Sequence, residues 1–100
     1  MNDFEQQIRE EARLIILRTL AGEPDGRLNS ELLRRNIETF GLGRTREWVQ
    51  AEMRAIEQLG AITIMEAGTV LVAQLTQRGL DHVERRAYLD GVKRPSLPRV

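Results

Sequence analysis

The sequence predicts an α+β domain, mainly helical, on three observations. Apolar residues recur at helical spacing through three stretches of the first sixty positions, they alternate between Ile62 and Leu75, and helical spacing returns after Thr76. One hundred residues, 41% hydrophobic and 30% charged, suffice for one core and exclude a two-domain enzyme. The 15 Lys and Arg balance 15 Asp and Glu, so any attraction to phosphate must come from local asymmetry. The absence of cysteine excludes disulfides, thiolate zinc sites, thiol nucleophiles and iron–sulfur clusters, and fits a cytoplasmic setting. No apolar run exceeds the length of Leu14-Ile15-Ile16-Leu17, far short of the roughly 20 residues that cross a bilayer. The acidic start, Met1 to Glu5, lacks the basic and then apolar layout of a signal peptide. A soluble chain with no membrane partner is expected.

The first helix is expected from Asp3, a candidate N-cap, to Ala21, with Gly22 as its C′ stop. Phe4, Ile8, Ala12, Ile15, Ile16 and Leu20 form its stripe, and Leu14, Leu17 and Ala21 widen it beyond what one packing surface requires. Two readings of that width stay open: deep burial in a small core, or a homodimer seam with Phe4, Ile8, Leu14 and Leu17 as its candidate residues. Glu23-Pro24-Asp25-Gly26 reads as a turn, and Arg27-Leu28 as a short extended link.

Asn29 or Ser30 then caps a second helix to Phe40, with Leu32, Leu33, Ile37 and Phe40 inward, and Gly41-Leu42-Gly43 ends it. Thr45 caps a third helix through Leu59, with Trp48, Val49, Met53, Ile56 and Leu59 in one stripe and Gly60 as its C′ glycine. Two helices joined by a short glycine-bearing turn are a helix-turn-helix candidate.

Placing the turn at Glu66-Ala67-Gly68-Thr69 makes a two-stranded β-ribbon with Ile64 opposite Leu71 and Ile62 opposite Ala73. Thr63, Met65, Val70 and Val72 occupy its other face, which is apolar enough to invite cover by the tail or a partner. Thr76 caps a last helix through about Leu89, with Leu80, Val83 and Ala87 inward and Gly79 weakening it. Residues 1–91 thus form the domain and residues 92–100 an extended, basic, proline-containing tail, expected to be mobile.

Helix, link, helix, helix, ribbon, helix resembles the winged helix-turn-helix order of MarR- and ArsR-like regulators from Phe4 to Leu89. Leu75-Thr76-Gln77-Arg78-Gly79-Leu80 resembles the Leu-Thr-x-x-Gly wing exit of such regulators. The whole sequence is similar to small, largely uncharacterised proteins of Mu-like prophages. The resemblance lies in Glu11-Ala12-Arg13-Leu14-Ile15-Ile16-Leu17, in the segment from Gly68 through Leu80, and in Gly91-Val92-Lys93-Arg94-Pro95-Ser96. It implies a winged helix with three N-terminal helices, a two-stranded wing and a C-terminal helix in a phage setting, and it supplies no catalytic residue or ligand.

A helix-turn-helix reader inserts its second helix into the major groove and holds phosphates around it. Arg46, Gln50 and Arg54 lie four apart on the outer line of the third helix, where Arg suits guanine and Gln suits adenine. Arg44 and Thr45 at its entrance can hold a phosphate, and Arg34 and Arg35 add backbone contacts. Against this, Glu47, Glu52 and Glu57 can pair with those arginines. Residues 27–60 carry six basic and five acidic groups, a weak bias for a DNA-binding surface. The wing tip offers Glu66 and no cation.

Charge is also uneven between the ends: residues 1–26 hold three basic and six acidic groups, and residues 77–100 six basic and three acidic. The ends can attract one another within or between subunits, or Arg85, Arg86, Lys93, Arg94 and Arg99 can form a second phosphate strip. The single His82, read as a surface residue, has no partner for a zinc motif, Gly41-Leu42-Gly43 lacks a dinucleotide site's third glycine, and no catalytic residue, metal or cofactor is expected. Trp48 and the three methionines read as core or gap-filling residues. The function expected is a phage transcriptional regulator binding double-stranded DNA as a homodimer. The alternative is an adaptor without DNA binding that docks a phage or host protein.

Overall fold

A computed structural model describes residues 3–97. Its elements run α1 (Asp3–Ala21), β1 (Arg27–Asn29), α2 (Ser30–Thr39), α3 (Arg46–Gln58), β2 (Ile62–Ala67), β3 (Val70–Leu75) and α4 (Gln77–Val83). Over these described residues the result is an α+β fold of four helices and a three-stranded antiparallel sheet ordered β1-β3-β2. The expected ribbon has gained a strand, because the Arg27-Leu28 link pairs with β3 through Arg27↔Gln74, Leu28↔Ala73 and Asn29↔Val72.

The wide stripe of α1 has a simple cause: α1 lies at the centre, touching α2, α3, α4 and β3. Leu14 is 1% exposed and Leu17 fully buried, so these two are core residues and no part of a dimer seam. Phe4 is exposed and Ile8 half-buried. Gly22 closes the last turn through bonds from its N–H to the Arg18 and Thr19 carbonyls, 3.1 and 3.2 Å. The left-handed glycine follows only at Gly26, φ 66°.

Asn29 caps α2 by accepting from the Leu32 N–H at 2.9 Å, which puts Ser30 inside the helix and buries it. Leu33 and Ile37 face inward, whereas Leu32 and Phe40 are exposed. Leu32 lies about 100° round the helix from Leu33, and Phe40 falls on the C-cap beyond the regular turns. Thr45 caps α3 through the Trp48 N–H at 3.1 Å. Val49, Met53 and Ile56 are fully buried, while Trp48 and Leu59 pack on the core only in part.

The hairpin register is Ile62↔Leu75, Ile64↔Ala73 and Ala67↔Val70, with only Gly68 and Thr69 in the turn. Gly68 has φ 61°, the positive value that a two-residue turn with glycine first requires. The pairing is two residues tighter than expected, and because strand side chains alternate with period two, the inward face is preserved. On the other face, Met65 stays exposed.

α4 stops at Val83 instead of Leu89, since Arg85 adopts φ 63° and breaks the helical path. Ala87, expected inward, is exposed, and Leu80 and Val83 are half-buried. The inward residues are Gly79 and His82. A Cβ at Gly79 would collide with the Ala61 carbonyl and meet Leu75 Cδ1 at 2.8 Å, so this glycine permits the close seating of α4. His82, expected at the surface, is fully buried, with Nδ1 accepting from the Leu89 N–H at 3.0 Å and Nε2–H donating to the Lys93 carbonyl at 2.9 Å.

The segment after α4 turns back along α1 instead of extending freely. Leu89, Val92 and Pro95 are buried, and the Lys93 N–H reaches the Glu10 carbonyl at 3.2 Å. Lys93 Nζ meets Glu11 at 2.8 Å, joining the basic end to the acidic end within one chain. This segment therefore leaves the outer sheet face uncovered.

Candidate nucleic-acid interface

The outer sides of α2 and α3 and the hairpin tip form one face. α3 reaches it with one side buried and Thr45, Arg46 and Arg54 exposed. Its link to the hairpin is polar: Gln50 Nε2 donates to the Thr69 carbonyl at 3.1 Å and to Ser30 Oγ at 3.4 Å, while Ser30 Oγ accepts from the Leu71 N–H at 3.0 Å. Ser30 thus ties α2, α3 and β3 at one point. Gln50, expected to read a base, is turned toward the protein.

Four of the arginines of this face, Arg34, Arg35, Arg46 and Arg54, meet carboxylates. Arg34 holds Glu31 through two bonds of 3.1 and 2.8 Å and lies 4.0 Å from Glu38, and Arg35 adds a bond to Glu31 at 3.2 Å. The Glu31 carboxyl is consequently pushed down to about 2, chiefly by Arg34, with partial desolvation opposing and Arg35 adding to the drop. The Arg34 guanidinium is shifted up by the same partner. Arg46 lies 3.5 Å from Glu47, and Arg54 bridges Glu57 at 3.3 Å and Glu66 at 3.1 Å. The five arginines Arg34, Arg35, Arg44, Arg46 and Arg54 therefore share the face with five carboxylates, Glu31, Glu38, Glu47, Glu57 and Glu66.

Arg44 differs from the other four. Its guanidinium lies 5.4 Å from the Trp48 ring centroid and bonds the Gly43 carbonyl at 3.2 Å, with no carboxylate in ion-pair range among the described residues. Trp48, expected as core, is a half-buried platform under this cation. Glu52 also departs from its expected place: it leaves the arginines of α3 and pairs instead with Arg13 Nε at 2.8 Å.

Three residues of the second strip are engaged within the chain. Arg86 is bound to Asp81 and Glu84, Lys93 to Glu11, and Arg94 stacks 4.5 Å from the Tyr88 ring centroid. The Asp81 carboxyl is lowered, first by the Gln77 side-chain amide and then by Arg86. Arg99 lies outside the described residues. The described residues contain no group of three acidic or histidine side chains able to hold a metal. No described helix is long and apolar enough to cross a membrane.

The chain is 31% identical to the uncharacterised protein gp26 of Escherichia phage Mu over 88 residues, which span 88% of this chain and 91% of the phage protein. It belongs to the gp26 family. The phage resemblance expected from the sequence is thereby borne out, and gp26 brings no activity with it. No family model matches the chain, and no solved structure does. What this gp26 relative does must be read from its own residues.

Two features of the face carry a local signal in the sequence. Glu31 precedes Arg34 and Arg35 by three and four positions, the spacing of helical ion pairs. Arg44 precedes Trp48 by four, which stacks the pair across the start of α3. The Arg54–Glu66 and Gln50–Thr69 contacts bridge different elements and carry no such signal.

Proposed function

We propose that this chain is a winged-helix protein of phage origin that binds double-stranded DNA in the cytoplasm and regulates transcription, with α3 entering the major groove and the β2–β3 hairpin beside it as the wing. The observation that carries this reading is the exposed flank of α3, where Arg46 and Arg54 follow Arg44, which has no carboxylate partner among the described residues. Exposed ion pairs contribute only about 0–1 kcal/mol, so phosphate oxygens can replace Glu47, Glu57 and Glu66 with little loss. Gln50 would have to leave the Thr69 carbonyl to read a base, which puts the expected affinity at the modest end.

The balance of five arginines and five glutamates, with Glu66 in β2 near the hairpin end, favours a second reading as a protein-docking adaptor. Salt separates the two. Binding to a mixed duplex pool should weaken as salt rises, and Arg44→Ala should flatten the log–log slope by about 0.9 for each phosphate that the arginine neutralises. Failure of the purified protein to bind that pool at low salt would replace DNA by the adaptor reading.

A further inference from the structure

The surface between α1 and α2 carries a feature that duplex binding does not use. Two hollows of about 390 and 360 Å³ lie end to end there, sharing Glu11, Ile15 and Phe40 as walls. At one end Leu42 and Ile8 continue the apolar lining, and Phe40 stands 64% exposed at the middle. Of the residues that α1 and the turn after it give to the groove, Phe4, Ile8, Glu11, Ile15, Arg18 and Gly22 are spaced four, three, four, three and four, with Gln7 and Thr19 beside them. That is the alternation with which one helix presents a continuous seam to another.

The charges in the seam select the occupant. Glu11 and Arg18 lie four residues before and three after Ile15, about 6 and 4.5 Å along the axis at 1.5 Å per residue. A parallel second helix of the same sequence would set Glu11 against Glu11 and Arg18 against Arg18. An antiparallel one crossing at the level of Ile15, which is 7% exposed and forms the floor of the groove, sets each Glu11 against the opposite Arg18, and Ile8 against Gly22, where the missing side chain leaves room. Arg18 is exposed and makes no side-chain ion pair or hydrogen bond among the described residues. Among the described residues Glu11 is engaged with exposed Lys93 alone, a pair it can share.

We propose that a second copy of this chain lays its α1 antiparallel in this groove, forming a two-fold dimer in which Glu11 of each copy pairs with Arg18 of the other and Phe40 closes the side. The surface replaces the seam expected from the helix alone, because Leu14 and Leu17 are taken up by the core. It is independent of whether α3 binds DNA.

Sedimentation equilibrium of the full chain at micromolar concentration tests it, with far-UV circular dichroism to confirm folding. Twice the chain mass is expected for the unaltered protein. Phe40→Asp should return a folded monomer, and Arg18→Glu or Glu11→Arg alone should raise the dissociation constant by about tenfold or more. The double variant Glu11→Arg, Arg18→Glu should recover the dimer, since exchanging both charges restores attraction only in the antiparallel arrangement. A monomeric unaltered protein, or a dimer indifferent to Phe40→Asp, overturns the proposal. Were Phe40→Asp to unfold the chain, the three charge variants would decide, and a double variant no stronger than the singles would refute the pairing. Mass is the readout throughout, so failure to bind duplex and failure to dimerise are distinguishable.

Discussion

Arginine and glutamate meet in two regions of this molecule with opposite consequences. At the junction of α1, α3 and the C-terminal segment, Arg13 donates to Glu52 at 2.8 Å and to the Gly91 carbonyl at 2.9 Å, with the two side chains only 15% and 8% exposed. Arg9 approaches the same carboxylate at 4.0 Å. On the α3 flank, Arg54 meets Glu66 at 3.1 Å with side chains 44% and 76% exposed. The first pair has exchanged water for protein and each other. The second remains hydrated and exchangeable. A buried ion pair adds little net stability over apolar packing but is costly to break, because the survivor stays charged and desolvated. An exposed pair costs little to break and leaves its arginine available to a ligand.

The largest effect should come from the buried side. Glu52→Ala leaves Arg13 without its carboxylate and should destabilise the fold by about 3–5 kcal/mol in chemical denaturation. A loss no larger than that of an exposed pair would mean that solvent reaches the junction and would remove the contrast. Glu66→Gln should change stability by no more than about 0.5 kcal/mol. If the α3 flank takes phosphate, the same substitution should tighten duplex binding a few-fold, corresponding to roughly 0.5–1 kcal/mol, by freeing Arg54 from its carboxylate. Unchanged duplex affinity would assign Arg54 to the protein alone.

The smallest effect is a titration. Glu31 is held well below the ordinary carboxylate value of 4.5, with a midpoint expected at about 2. Because the folded value is the lower one, its contribution is fully present above the ordinary value and lost as pH falls through the folded midpoint. Carboxyl chemical shifts followed by NMR should show this, and Arg34→Ala should move the midpoint up. A midpoint that stays low without Arg34 would shift the cause to other groups.

Much of the fold is legible because it is local. Thr45, Asn29 and Thr76 each accept a hydrogen bond from the N–H three residues on, a decision made within one turn. The start of α3 and the line of Arg46, Gln50 and Arg54 follow directly from it. The hairpin is legible as alternation, but its register depends on how many residues the turn holds, and Gly68 and Thr69 alone suffice.

Glu52 shows a signal that composition conceals. With Val49, Met53 and Ile56 it occupies spacings of three, four and seven, the buried arc of α3, and only its charge suggests a surface position. His82 likewise follows Gly79 by three on the inner side of α4. A charged or polar residue can occupy such an arc when a distant partner satisfies it, and Arg13 is 39 positions away.

By itself the sequence determined where helices begin, which positions alternate in the hairpin, and that Arg44 and the arginines of α3 share one side, since each depends on residues within a turn or two. Tertiary structure alone decided that α1 is enclosed by four elements, that Glu52 and His82 are interior, that β1 joins the sheet, and that Gln50 bonds the hairpin. Those outcomes depend on what lies across the contact, because burial removes water and a polar group must then find its partner elsewhere in the chain.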